Sequence, residues 1–93
     1  MIIGAAIVKL HVPWAHSLKE KRMVTKGIIS KAQNKYNISI SEIEAQDVHQ
    51  TIVLGIACVS NTSKLADSTL DRVIQFIEDN TEAEITNVCR GFR

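Results

Sequence analysis

Ninety-three residues, 45% of them apolar and 23% charged, describe one small folded domain over residues 1–93 and exclude a disordered or collagen-like chain. The longest apolar runs fall far short of the ~18 residues that a membrane helix needs, and two cysteines, Cys58 and Cys89, are too few for a disulfide framework. The formal net charge of +1 hides a division: residues 1–36 hold seven basic residues against Glu20 alone, whereas 37–93 hold four basic against nine acidic. Such asymmetry marks the first half as a candidate anion-binding half.

Met1–Val12 is apolar but has neither a basic leader nor a small-residue cleavage site, so it reads as a strand, and the expected location is the cytoplasm. The Ile- and Val-rich run 2–12 stops at Pro13, the one proline of the chain. Ser17 with Glu20 three residues on is a capping-box pattern that predicts a helix start. Leu18, Val24, Ile28, Ile29, Ala32 and Tyr36 then recur at helical spacing, and Asn37 is expected to end the helix in a left-handed conformation. Residues 38–46 alternate as a strand, with Ile38, Ile40, Glu42 and Glu44 on one side and Ser39, Ser41, Ile43 and Ala45 on the other. Residues 47–50 form the turn, and 51–60 are apolar on both faces, as a central strand requires. Asn61, Thr62 and Ser63 offer cap oxygens for a second helix, whose buried stripe is read as Leu65, Ala66, Leu70, Val73, Ile74 and Ile77. Residues 83–90 give the last strand.

The order βαββαβ is the split-βαβ, ferredoxin-like α+β pattern. Right-handed crossovers place two helices on one face of a four-stranded antiparallel sheet of order 4-1-3-2. Cys58 and Cys89 then lie on strands separated by the first, about 9.6 Å apart, too far for a disulfide, and both are expected as buried thiols. The first strand offers Ile3, Ala5, Ile7 and Lys9 on one side and Ile2, Ala6, Val8 and Leu10 on the other, and the third offers Val53, Ala57 and Val59 against Ile52, Leu54, Ile56 and Cys58; helices can cover only one of these sides. An exposed apolar face of that kind calls for a partner. A homodimer packed sheet to sheet is the simplest; residues near the C-terminus, Phe92 among them, folding over it are the intramolecular alternative.

The most unusual stretch is His16-Ser17-Leu18-Lys19-Glu20-Lys21-Arg22. Cations in the first turns of a helix oppose its dipole, and a local rule broken without visible compensation points to function. Free N–H groups at a helix start with added Lys and Arg form an anion site, and at 100° per residue Lys19, Arg22 and Lys26 fall within about 60° of one another. Ser17, Lys19, Lys21, Arg22 and Lys26 are therefore the candidate nucleic-acid or anion-binding residues, contacting phosphates, with Ser17 setting the helix start. A solvated basic face is the bland reading of the same residues. Trp14 adjoins the cluster and is read as packing on the domain edge rather than stacking on a base. The central strands have none of the aromatics on which an RNA-recognition motif stacks bases. His11, His16 and His49 lack metal-ligand spacing, and neither a nucleophile motif nor a glycine-rich phosphate loop is present. No metal or cofactor is expected, and catalysis by His16, or by Asp47 with His49, has the least support.

The run His11-Val12-Pro13-Trp14-Ala15-His16-Ser17-Leu18-Lys19-Glu20-Lys21-Arg22 resembles the N-terminal signature of the YlxP-like family, small bacterial proteins of uncharacterised function. The resemblance continues through Asn37-Ile38-Ser39, Glu44-Ala45-Gln46-Asp47, Leu54-Gly55-Ile56-Ala57 and Val59-Ser60, and through Leu70, Asp71, Val73 and Phe76-Ile77-Glu78 of the second helix. It implies a ferredoxin-like fold and a genomic setting among translation and ribosome-maturation genes. The family often has an aromatic where His49 stands. The expected function is thus a non-enzymatic protein associated with RNA or the small ribosomal subunit. The alternative is a regulatory domain that takes a small molecule or a protein on the open sheet face.

Overall fold

Capping side chains start both helices. In the computed structural model, which describes residues 1–92, Ser17 Oγ accepts from the Glu20 amide at 3.2 Å and opens α1 (Leu18–Lys35). Thr62 Oγ1 likewise accepts from the Leu65 amide at 3.1 Å and opens α2 (Ser63–Asp79). Each bond satisfies one of the amides that a helix start leaves without an intrahelical partner. The strands are β1 (Ile2–His11), β2 (Ser39–Glu44), β3 (Thr51–Ser60) and β4 (Glu84–Phe92). The end of α1 departs from expectation. Tyr36 is extended, with φ −125°, and its amide bonds to the Ala32 carbonyl; Asn37 takes no left-handed turn. The chain thus passes straight from the helix into the approach to β2.

All strand neighbours are antiparallel and the order is β2-β3-β1-β4, the ferredoxin-like βαββαβ arrangement. One side of the sheet, with Ala6, Val8, Leu10, Ile40, Ile52, Leu54, Ile56 and Cys58, packs under the helices. Helix α2 contributes an apolar line, Ala66, Leu70, Val73 and Ile77. Leu65, expected in that line, is exposed, because it lies about 100° round the helix from Ala66. The buried line of α1 is half polar: Lys21, Thr25, Ile28 and Ala32. Helix and sheet approach most closely at Gly4, where an added Cβ would lie 3.0 Å from Ala66 Cβ and 3.2 Å from Cys58 Sγ.

A pairing irregularity in β2 alters the faces read from simple alternation. In β2 a bulge falls between Glu42, opposite Leu54, and Glu44, opposite Val53. The two glutamates therefore lie on opposite sides of the sheet, Glu42 under α1 and Glu44 on the open side. In β4, Cys89 pairs with Ile7 and Cys58 of β3 pairs with Gly4. The cysteines thus occupy opposite faces, and Cys89 is exposed rather than buried. Among the described residues no helix is long and apolar enough to cross a membrane.

Candidate functional site

Lys21 belongs to the interior. Its side chain is 0% exposed. From α1 it reaches across to the end of β2, where Nζ donates to the Ala45 carbonyl at 2.6 Å and the Gln46 carbonyl at 3.4 Å and lies 2.8 Å from Glu42 Oε2. That oxygen is buried and receives no hydrogen bond of good geometry, so its contact with the ammonium is ionic. Ala45 has φ 57°, a left-handed conformation uncommon outside glycine. There it turns its carbonyl onto the lysine. Lys21 cannot meet a phosphate on the surface, which corrects its assignment to the anion site. The correction also resolves part of the dipole conflict, since this charge is neutralised by Glu42 away from the helix start. Alternation with Ile40 puts Glu42 on the helix side, but its pairing with Lys21 and the Ala45 carbonyl turned onto the same ammonium were invisible in the sequence.

The other cations stay on the surface. Lys19, Arg22 and Lys26 are exposed and share a stripe centred about 120° round α1 from its buried line. Among the described residues none of the three takes part in an ion pair; those found join Lys21 to Glu42 and Arg90 to Asp67 and Asp71. Ser17 holds the start of that helix, as expected of it. Glu20, the acid of the first turn, also accepts from the His16 amide at 3.4 Å. Further along, Lys35 lies 5.2 Å from the centre of the Phe76 ring, a cation–π distance.

The loop before α1 is tied to the β2–β3 hairpin. The Val12 amide donates to the Gln50 carbonyl, and Gln50 Nε2 donates to the Pro13 carbonyl at 3.2 Å. His11 Nδ1 lies 3.1 Å from the same Gln50 carbonyl, which only accepts, so the ring carries a proton there. This histidine has a structural partner. His16 and His49 are exposed, and no group of three or more His, Cys, Asp or Glu among the described residues could hold a metal. Trp14, 40% exposed, borders a groove of about 270 Å³ with Met23, Val24, Gly27, Lys31 and Glu82. Its ring is edge-packed and half open at once.

The sheet side away from the helices is uncovered. Phe92 pairs with Gly4 and so shares the helix side by register; among the described residues nothing from the C-terminus crosses the open face. Ile7, Ile43 and Val59 are exposed there, with Gly55 and Ala57 between them.

A family model described as "Protein of unknown function (DUF503)" matches residues 3–90. The uncharacterised protein YlxP of Bacillus subtilis (strain 168) is 45% identical over 85 residues, covering 91% of this chain and 92% of its own. Among solved structures, a de novo designed protein with a ferredoxin fold superposes with a TM-score of 0.57 at 19% identity, over 100% of this chain and 85% of the design. At that identity the likeness concerns fold alone.

Proposed function

The chain belongs to the DUF503 family of proteins of unknown function, and from that premise we propose that it binds RNA, in the setting of the small ribosomal subunit, through the outer stripe of α1. The observation that carries this reading is the trio Lys19, Arg22 and Lys26, exposed, turned away from the sheet and without acidic partners among the described residues. Cations so placed neutralise phosphates and release counterions. Ser17 fixes where the stripe begins, and Lys21 is excluded from it. Three phosphate contacts on single strands give a slope of log affinity against log salt of about −2, so the binding is modest and reads backbone and shape rather than bases. The aromatic-free central strands agree with that mode.

The test is a titration with ribosomal RNA and with small subunits at two salt concentrations, read by Trp14 fluorescence. Binding that weakens with salt and is lost in the variant Lys19→Glu/Arg22→Glu supports the proposal. Unchanged affinity in that variant rejects it.

The alternative, a regulatory domain using the open face for a small molecule, is less well served by the surface. The depressions there, lined by Ala5, Ile7, Cys89 and Gly91 on one side and by Ser39, Ala57 and Val59 on the other, hold about 280 and 310 Å³, near the lower limit for ligand pockets. Their polar linings are Arg90, already bridged to Asp67 and Asp71, in the first and Asn37 and Ser39 in the second.

A further inference from the structure

We propose that the open face of the sheet is covered by a second copy of this chain, related by a two-fold axis running along β3. Three observations converge on that occupant.

The first is chemical. By register, successive cross-strand rows on this face are Glu44–Val53–Lys9–Asn87, then Ser41–Gly55–Ile7–Cys89, then Ser39–Ala57–Ala5–Gly91, with Val59 and Ile3 beyond. Ile43 lies over Gly55, its Cγ2 only 2.9 Å from where a Cβ would stand. Most of the face is small or branched apolar surface, and a contiguous patch of that kind with a polar rim marks an interaction site.

The second is charge. Lys9 and Glu44 flank the same residue, Val53, on neighbouring strands. Both are exposed, and the ion pairs found among the described residues include neither. A two-fold axis along β3 exchanges the positions of β1 and β2. It therefore sets Lys9 of each copy against the partner's Glu44, twice, and Ile7 of each against the partner's Ile43. An isologous interface requires this self-complementarity, and a pair of opposite charges placed either side of an axis supplies it. A polyanion or an acidic partner would leave Glu44 opposed by like charge.

The third is area. The strands that overlap about this axis, β1, β2 and β3, of 10, 6 and 10 residues, at about 3.3 Å per residue and 4.8 Å between strands, present about 410 Å² in plan. A corrugated side-chain layer has more accessible surface than its plan. With that corrugation the overlapping strands approach the lower end of a standard interface, about 600 Å² per partner. Two sheets packed this way cross at about 30°, which keeps contacts near the axis in register.

The experiment measures oligomeric state by sedimentation equilibrium over a concentration series, with circular dichroism to verify the fold of each variant. Val53 is a poor probe, because it is already buried within the single chain beside Lys9 and Glu44. Ile7 and Val59, 47% and 70% exposed, tolerate change without disturbing the helix-side core. The expected results are a dimeric parent chain, a monomeric Ile7→Asp/Val59→Asp variant that stays folded, and dimers weakened roughly tenfold or more by Lys9→Glu or Glu44→Lys alone. The double variant Lys9→Glu/Glu44→Lys restores the dimer. A monomeric parent chain overturns the proposal. So does a dimer indifferent to Ile7→Asp/Val59→Asp, as pairing through the free β4 edge would give. Single reversals that the double variant fails to rescue overturn the axis along β3. RNA affinity is measured on the same variants; its loss or survival bears on the α1 stripe alone.

Discussion

Lys21 sits on the line of α1 that faces the sheet, where an apolar side chain would ordinarily lie. Its burial is tolerable because two carbonyls and Glu42 surround the ammonium. Removing one partner of such a pair leaves the other charge without compensation. Lys21→Met is therefore expected to cost about 2–4 kcal/mol, at the lower end for broken buried pairs because the Glu42 side chain keeps 16% exposure. The double change Lys21→Met/Glu42→Leu should recover much of that loss, since it buries no charge. Urea denaturation of the parent chain and the two variants measures both numbers, and a double variant as unstable as the single one would show that the carbonyl contacts at Ala45 and Gln46 dominate. Gly4 offers a second residue-scale test. A Cβ there would sit 3.0 Å from Ala66 Cβ, so Gly4→Ala should cost about 1–3 kcal/mol by overpacking. In a domain of this size each kcal/mol lowers the melting temperature by about 4–8 °C, which calorimetry resolves.

At the scale of elements, the two helices are held differently. Four apolar side chains anchor α2, whereas α1 relies on a line that is half polar and on its cap. The first turns of α1 should therefore exchange their amide hydrogens faster than the middle of α2, because few apolar contacts resist their opening. Ser17→Ala should widen that difference, with a loss of about 1 kcal/mol from the missing cap; exchange followed by mass spectrometry reports both. The element order, the α1 cap and the approximate strand spans were legible in the sequence, and the α2 cap was narrowed to Asn61, Thr62 and Ser63, because capping, periodicity and the stop at Pro13 are local signals. The β2 bulge was not. Alternation placed Glu42 and Glu44 together on one side, and one inserted residue sent them to opposite sides. That single irregularity leaves Glu42 facing Lys21 and sends Glu44 to the open face beside Val53 and Lys9.

Across the whole molecule, charge is segregated within the helix layer. Helix α1 presents Lys19, Arg22 and Lys26 outward, while Asp67 and Asp71 of α2 are bridged by Arg90 from β4. A sheet-to-sheet dimer would leave both helix layers outermost, with the two basic stripes on opposite sides of the assembly. A thin stability margin is expected of 93 residues, and association would add to it. The melting temperature should accordingly rise with protein concentration, and Ile7→Asp/Val59→Asp should remove that dependence while leaving a cooperative transition.

Residue order alone determined the fold class, the strand order and the outward placement of Lys19, Arg22 and Lys26. Each follows from short-range rules: where a helix can start, which spacing repeats, and the hand of a crossover. Only the tertiary structure decided which cation of the cluster is interior, that Glu44 leaves the face of Glu42, and that Cys89 and Leu65 stand in solvent. Those outcomes depend on what a side chain meets across the sheet. An ammonium on a helix is solvated or buried according to whether a carboxylate and two carbonyls, more than twenty positions away in the chain, are turned to receive it.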